Sequence, residues 1–184
     1  CPADITQNND LGQCGAVVDF SIPDPTDNCS ATATASPAPG SFFEVGSTTV
    51  TVTATDASGN TATCNFNVVV NDAEAPTLTC PTTQTVNNDP NDCGAIVDFT
   101  LPDLVDNCLA QSGLLDNDMS MRGPGASVTS DPAPGSFFDV GTTVVTITAS
   151  DEIGNTSTCT FDVVVYDTEA PNLSCPADVS ISCD

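Results

Sequence analysis

The sequence predicts an all-β chain: two tandem immunoglobulin-like antiparallel β-sandwich modules plus a short C-terminal extension. Three observations lead there. Apolar residues recur with period two, and no stretch carries a helical period. One set of cysteine-bounded blocks occurs twice. Turn-forming Asp, Gly and Asn separate short strand-like runs.

The repeat comes first. Cys1, Cys14 and Cys29 return 79 residues later as Cys80, Cys93 and Cys108. Cys64 returns 95 residues later as Cys159, so the second copy carries 16 extra residues after Cys108. "CGAVVDFSIPD" matches "CGAIVDFTLPD", and "PAPGSFFEVG" matches "PAPGSFFDVG". This sets modules at 1–72 and 73–167, with an insertion at about 109–130. Residues 168–184 begin the repeat again with Cys175-Pro176.

Within a module the strands follow in order. Ala16, Val18, Phe20 and Ile22 alternate with Val17, Asp19 and Ser21. Val50, Val52 and Ala54 face one way and threonines the other. Ala62, Cys64, Phe66, Val68 and Val70 share a face. "DASGN" and "DEIGN" sit between two such runs as hairpin turns. About seven short strands fit each module, the number an immunoglobulin-like sandwich needs.

Composition narrows function. The net charge is −24, with one basic residue, which excludes nucleic acid and anionic membranes as partners. There is no histidine to serve as acid–base catalyst or ligand. Paired carboxylates could serve a glycosidase, but no Trp and a single Tyr166 leave no sugar platform, so no enzyme is expected. The chain reads as a segment of something longer.

The ten cysteines, Cys1, Cys14, Cys29, Cys64, Cys80, Cys93, Cys108, Cys159, Cys175 and Cys183, point to disulfides and an oxidising, extracellular or cell-surface setting. No C-x-x-C pair marks a zinc site. Cys14 and Cys29 flank one strand and lie on the order of 25 Å apart, too far to bond. Cys29 and Cys64 fall at one end of a sandwich, so the expectation is Cys29–Cys64 and Cys108–Cys159, with Cys1–Cys14, Cys80–Cys93 and Cys175–Cys183 closing locally. A rival scheme joins Cys14 to Cys80 and Cys93 to Cys175, leaving Cys1 and Cys183 for neighbouring chains.

"CP", a lone Cys before a strand, "DNC" and "FEVGSTTVTVTATDASGNTATCNFNV" closely resemble the hyalin repeat, or HYR, module. The resemblance covers nearly all of both repeats. It implies extracellular tandem modules of immunoglobulin-like fold, associated with adhesion and not with catalysis. The expected function is a structural segment of a surface fibre or adhesin, assembling head to tail with copies of itself or binding other extracellular proteins. The alternative is a glycan-binding accessory module of a secreted protein.

Acidic residues crowd the linkers. Asp72 and Glu74 follow the first module, and Asp106, Asn107 and Asp151 lie in loops of the second. Calcium takes six to eight such oxygens, so Ca2+ is the candidate cofactor. The Asn-Asp and Ala-Pro pieces of "NDAEAP" resemble cadherin linkers. The competing reading is that Asp and Asn simply form turns. Asn28, Asn155 and Asn172 head N-glycosylation sequons. The insertion gathers Leu114, Leu115, Met119, Met121 and the only base, Arg122, into a candidate contact patch. In the tail, Val179 and Ile181 are in phase for one strand, which reads as the start of a third repeat, a fold-back, or a strand joining the next subunit.

Overall fold

A computed structural model of the protein describes residues 1–108 and 126–174. Those residues are strands and loops, with no helix among them. In the first repeat the strands are β1 (Ile5–Asn8), β2 (Gly15–Val18), β3 (Ala31–Ser36), β4 (Ser41–Glu44), β5 (Gly46–Asp56) and β6 (Thr61–Asn71). One sheet runs β1-β6-β5-β3 and the other pairs β2 with β4. Next come β7 (Thr77–Leu78), β8 (Gln84–Asn87), β9 (Gly94–Val97) and β10 (Leu104–Val105). Then β11 (Ser127–Asp131), β12 (Ser136–Asp139), β13 (Gly141–Ser150) and β14 (Thr156–Tyr166) close the described chain. They form sheets β11-β13-β14-β8, β12-β9 and β10-β7.

The period-two faces bury over most of their length, but Ala62 is exposed, Ala54 is half-buried, and Phe20 and Ile22 are half-buried beyond the end of β2. Ala16, Val18, Phe43, Val50, Val52, Phe66, Val68 and Val70 make the first core. Phe20 closes edge-to-face on Phe66, with ring centroids 5.1 Å apart. Ala95, Val97, Phe99, Phe138, Val145, Ile147, Phe161, Val163 and Val165 are the buried counterparts in the second repeat. The hairpin turns are fastened by their own acids. Asp56 Oδ1 accepts from the N–H groups of Ser58 and Asn60 at 2.9 and 2.8 Å. Asp151 Oδ1 accepts from Ile153, Gly154 and Asn155 at 2.6–2.9 Å. Gly59 and Gly154 sit at φ of +87° and +103°, where a Cβ would be strained.

The first strand of each repeat adds a feature that hairpin signals do not reveal. β1 lies parallel to β6, with Ile5 opposite Val68, and β8 lies parallel to β14, with Gln84 opposite Val163.

This pairing corrects the expected disulfides. Running the two registers back four residues brings Cys1 beside Cys64 and Cys80 beside Cys159. These are the bonds that form, with Cα atoms 5.8 and 5.9 Å apart. The third bond is Cys14–Cys108, with Cα atoms 4.7 Å apart. Cys1–Cys14, Cys29–Cys64, Cys80–Cys93 and Cys108–Cys159 therefore do not form, and neither does Cys14–Cys80. A parallel edge strand has no hairpin turn to mark it, so in the sequence alone cysteines near strand ends read as hairpin neighbours. Among the described residues Cys29 and Cys93 are free and exposed. Cys175 and Cys183, the tail strand with Val179 and Ile181, and the insertion residues Leu114, Leu115, Met119, Met121 and Arg122 lie outside the described residues.

The chain divides into two compact units. One comprises Cys1–Thr79, Pro102–Thr129 and Thr148–Thr158; the other comprises Cys80–Leu101, Ser130–Ile147 and Cys159–Asp184.

Candidate functional site

The linker after β6 is bonded on both sides within the first unit. It begins by folding back on the loop after β1. Asn9 N donates to Asn71 O at 2.9 Å, and Ala73 N donates to Asn9 Oδ1 at 3.0 Å. Glu74 Oε2 accepts from Gly12 N at 2.8 Å and from Asn9 Nδ2 at 3.3 Å. The linker then pairs outward as β7 meets β10, with Leu78 opposite Leu104. Thr77 Oγ1 adds a bond to Val105 O at 3.0 Å. The "DNC" segment closes the arrangement. Asn107 Nδ2 donates to Gln13 O at 2.8 Å, next to the Cys14–Cys108 disulfide.

Three carboxylates gather in this node. Asp72 and Asp151 are buried, at 6% and 4% exposure, and Asp106 is half-buried. Asp72 Oδ1 accepts from Glu74 N at 3.2 Å, and Asp72 O accepts from Asn155 Nδ2 at 3.4 Å. Asp106 Oδ1 accepts from Cys108 N at 2.8 Å, while its Oδ2 is buried with no hydrogen-bond partner among the described residues. Burial pushes the Asp72 carboxyl above the usual carboxylate range. The Glu74 N–H opposes that shift, and repulsion from Asp106, Asp151 and Glu74 adds to it.

Of the five expected metal ligands, the structure brings Asp72 and Asp106 together. A carboxylate oxygen of each and the Cys108 sulfur lie within 4.8 Å of one another. That sulfur is spent in a disulfide, so the donor set is oxygen and suits a hard cation rather than zinc. Asp151 is saturated by its own turn, while Glu74 and Asn107 are engaged with the 9–13 loop.

The second linker makes the same inward bonds in the other unit. Thr168 N donates to Asn88 Oδ1 at 2.9 Å, and Asn91 N donates to Glu169 Oε2 at 2.9 Å. Sequence reasoning missed these receiving loops. The signal was there: "NND" precedes Cys14 and Cys93 in both repeats. Of the sequon asparagines, Asn28 and Asn172 are exposed, while Asn155 is committed to Asp151 Oδ2 at 2.7 Å.

The HYR domain pattern matches residues 1–70 and 71–165, nearly the whole chain. The chain belongs to the HYR domain family. Among curated relatives, hyalin of Lytechinus variegatus is 36% identical over 97% of this chain. Hyalin of Strongylocentrotus purpuratus is 37% identical over 92%. The rat sushi, von Willebrand factor type A, EGF and pentraxin domain-containing protein 1 is 31% identical over 90%. The chain spans 32%, 14% and 4% of the length of these relatives. Among solved structures, mouse cadherin-23 EC22-24 matches 91% of this chain and 64% of that one, at 12% identity and a TM-score of 0.45. Human protocadherin-24 EC1-2 matches 91% and 95%, at 15% identity and a TM-score of 0.40. This HYR chain is thus an extracellular or cell-surface repeat, and its family is not an enzyme family.

Proposed function

We propose that this HYR chain is a structural segment of an extracellular fibre or adhesin, extended head to tail, with the acidic linker as the element that fastens one repeat to the next. The observation that carries this is the double engagement of residues 72–78. They bond inward to Asn9 and Gly12 and pair outward with Leu104–Val105, beside a disulfide. Loops of the second repeat are built into the same compact unit as the whole first repeat. A head-to-tail contact is heterologous, so its repetition gives an open filament. Negative-stain imaging of the full chain at rising concentration tests this. Filaments or linear oligomers are expected, and a chain that stays monomeric at high concentration overturns it. The alternative, glycan binding, is favoured instead by a positive glycan array without assembly.

A second reading concerns the cation. Asp72 and Asp106 sit together, and a buried Asp106 oxygen has no hydrogen-bond partner among the described residues. Ca2+ bound there would take these carboxylates and complete its shell with water. Because such an ion binds the folded chain, millimolar calcium raises the melting midpoint over chelator by mass action. Equal midpoints leave the acids as turn formers.

A further inference from the structure

The smaller sheet of each repeat has two edges, and they are treated differently. On the β2 edge a side chain stands in for a strand. Asp10 Oδ2 accepts from Val17 N at 2.8 Å, and Asp10 N donates to Gly15 O at 2.7 Å. Asp89 does the same for β9, accepting from Ile96 N at 2.9 Å and donating to Gly94 O at 2.7 Å. An inward-turned charge of this kind blocks edge-to-edge pairing. The opposite edge belongs to β4 in one repeat and to β12 in the other. No strand lies beyond either among the described residues. The register fixes which groups face outward there. Val45 N donates to Cys14 O at 3.2 Å, so that pair faces inward, and the direction alternates along an antiparallel ladder. Phe42 and Glu44, opposite Val17 and Gly15, therefore turn their N–H and C=O groups away from β2. Val140 N donates to Cys93 O at 3.0 Å, so Phe137 and Asp139, opposite Ile96 and Gly94, do the same in the second repeat.

The outer face beside this open edge is apolar and acidic. Phe42 is 49% exposed and Val17, across from it, 55%; Phe137 is 50% exposed and Ile96, across from it, 65%. Each ring lies across a glycine of the neighbouring strand. A Cβ on Gly15 would collide with the Phe42 ring, and one on Gly94 with the Phe137 ring. The aromatic is thus held against the sheet with half its surface free. By period two, Glu44 stands on the same face as Phe42, and Asp139 on the same face as Phe137, both exposed. An exposed ring beside a carboxylate attracts a cation. The protein does not supply one there, because its only basic side chain, Arg122, lies outside the described residues and the net charge is −24. A second copy would bring the same charge and the same acids to the edge, so like-charge repulsion opposes it. A basic strand has the complementary charge.

We infer that β4 and β12 each accept an added strand from another extracellular protein, an extended segment with Arg or Lys along one face. Its main chain pairs with the outward N–H and C=O groups of Phe42 and Glu44, or of Phe137 and Asp139. Its basic side chains lie on the outer face, over the ring and beside the carboxylate. Its other face continues the inner face of the sheet, where Phe43 and Phe138 are buried. The guarded β2 and β9 edges set the side of docking, since Asp10 and Asp89 already occupy the groups a strand would need there. Each site lies within one repeat. The inference therefore goes beyond head-to-tail assembly and does not depend on it.

The test adds a synthetic peptide of alternating valine and arginine to the full chain. Its control is the same peptide N-methylated at every residue, which keeps the charge and cannot pair as a strand. The plain peptide is expected to bind, and the methylated one at least about tenfold more weakly through loss of its main-chain bonds. Amide exchange should slow at Phe42, Glu44, Phe137 and Asp139 when the plain peptide is present. Phe42→Ala and Phe137→Ala should each weaken their own site about two- to fivefold. Those rings also cover glycines, so Glu44→Gln and Asp139→Asn supply a second pair of variants on exposed groups, expected to weaken binding about twofold. Equal binding of the two peptides would reduce the contact to charge alone and overturn the inference. Protection at other amides, with none at Phe42 and Glu44, would also overturn it. Protection of Phe42 and Glu44 on concentrating the chain without peptide would give the edge to a second copy and reject the basic strand. Head-to-tail assembly is read by imaging without peptide, so the two readings fail separately.

Discussion

Asp72 and Asp167 occupy equivalent places in two linkers, and their surroundings differ. Asp72 and Pro76 are buried, while Asp167 and Pro171 are exposed. Leu78 lies in a strand, while Leu173 does not. Yet the backbone clamp recurs in both, with Glu74 taking Gly12 N at 2.8 Å and Glu169 taking Asn91 N at 2.9 Å, although Glu74 also accepts from Asn9 Nδ2 at 3.3 Å. The clamp is therefore a property of one repeat and its own linker. Burial of the acid is imported when a following "DNC" segment arrives. The two linkers thus share a clamp and differ in what lies against them, and that comparison can be broken or sharpened by substitution.

The largest expected effect is on the Cys14–Cys108 bond. Cys14→Ser with Cys108→Ser opens a loop of sequence separation 94. Removing such a cross-link costs about 2–5 kcal/mol. Cys29→Ser with Cys93→Ser alters two exposed thiols of the monomer and is expected to shift stability by less than about 0.5 kcal/mol. Urea unfolding of dilute, monomeric protein compares the two. Equal losses would mean that the Cys14–Cys108 bond adds no stability of its own.

The next contrast is electrostatic. Asp72→Asn removes a buried charge that faces Asp106, Asp151 and Glu74, whereas Asp167→Asn changes an exposed side chain. In chelator Asp72→Asn is expected to raise the melting midpoint, and Asp167→Asn to leave it unchanged. Any calcium response should vanish with Asp72→Asn. The pH dependence has a definite sign. The Asp72 pKa is raised above 3.8, so the destabilisation is full above the raised value and is relieved as pH falls through it. The advantage of Asp72→Asn should therefore shrink on acidification within that window. The Asp56 pKa is lowered, first by its side-chain bond to Asn60, so its stabilisation is present above 3.8 and lost as pH falls through the lowered value. The two windows lie on opposite sides of 3.8, and a melting series in chelator resolves them. A constant gap between Asp72→Asn and the parent across the upper window would deny the charge burial.

Much of this was legible in the sequence. Period two placed Val50, Val52, Phe66, Val68 and Val70 in the core, and "DASGN" marked a turn that Asp56 fastens. The family was written in "DNC" and in the block around Cys64. Disulfide connectivity was not legible, because it depends on β1 lying parallel to β6 and β8 to β14. A parallel edge strand leaves no hairpin turn to read, so Cys1 gave no local sign that its partner was Cys64. The linker acids were found from their density, but their division of labour was not. Whether Glu74 joins Asp72 or turns to Gly12 depends on where the 9–13 loop stands, and that loop is positioned by the same parallel pairing.

The smallest effect tests the premise of the comparison. Glu74→Gln and Glu169→Gln keep an acceptor oxygen at each clamp and remove its charge. A backbone N–H donating to a carboxylate is stronger than one donating to an amide, by about 0.5–1 kcal/mol net. If each clamp is local, both substitutions should cost that amount and cost it equally. Amide exchange provides the readout, since Gly12 N–H and Asn91 N–H each donate to one of these carboxylates. Exchange should quicken about two- to fivefold at Gly12 in Glu74→Gln and at Asn91 in Glu169→Gln. A larger change at Gly12 would mean that the first clamp draws strength from the "DNC" segment beside it. Asn107 is the residue through which that would act, because it holds Gln13 O one position beyond Gly12. Asn107→Ala in the Glu74→Gln background then decides the matter. Additive losses keep the clamp local, and a coupled loss makes it part of the joint.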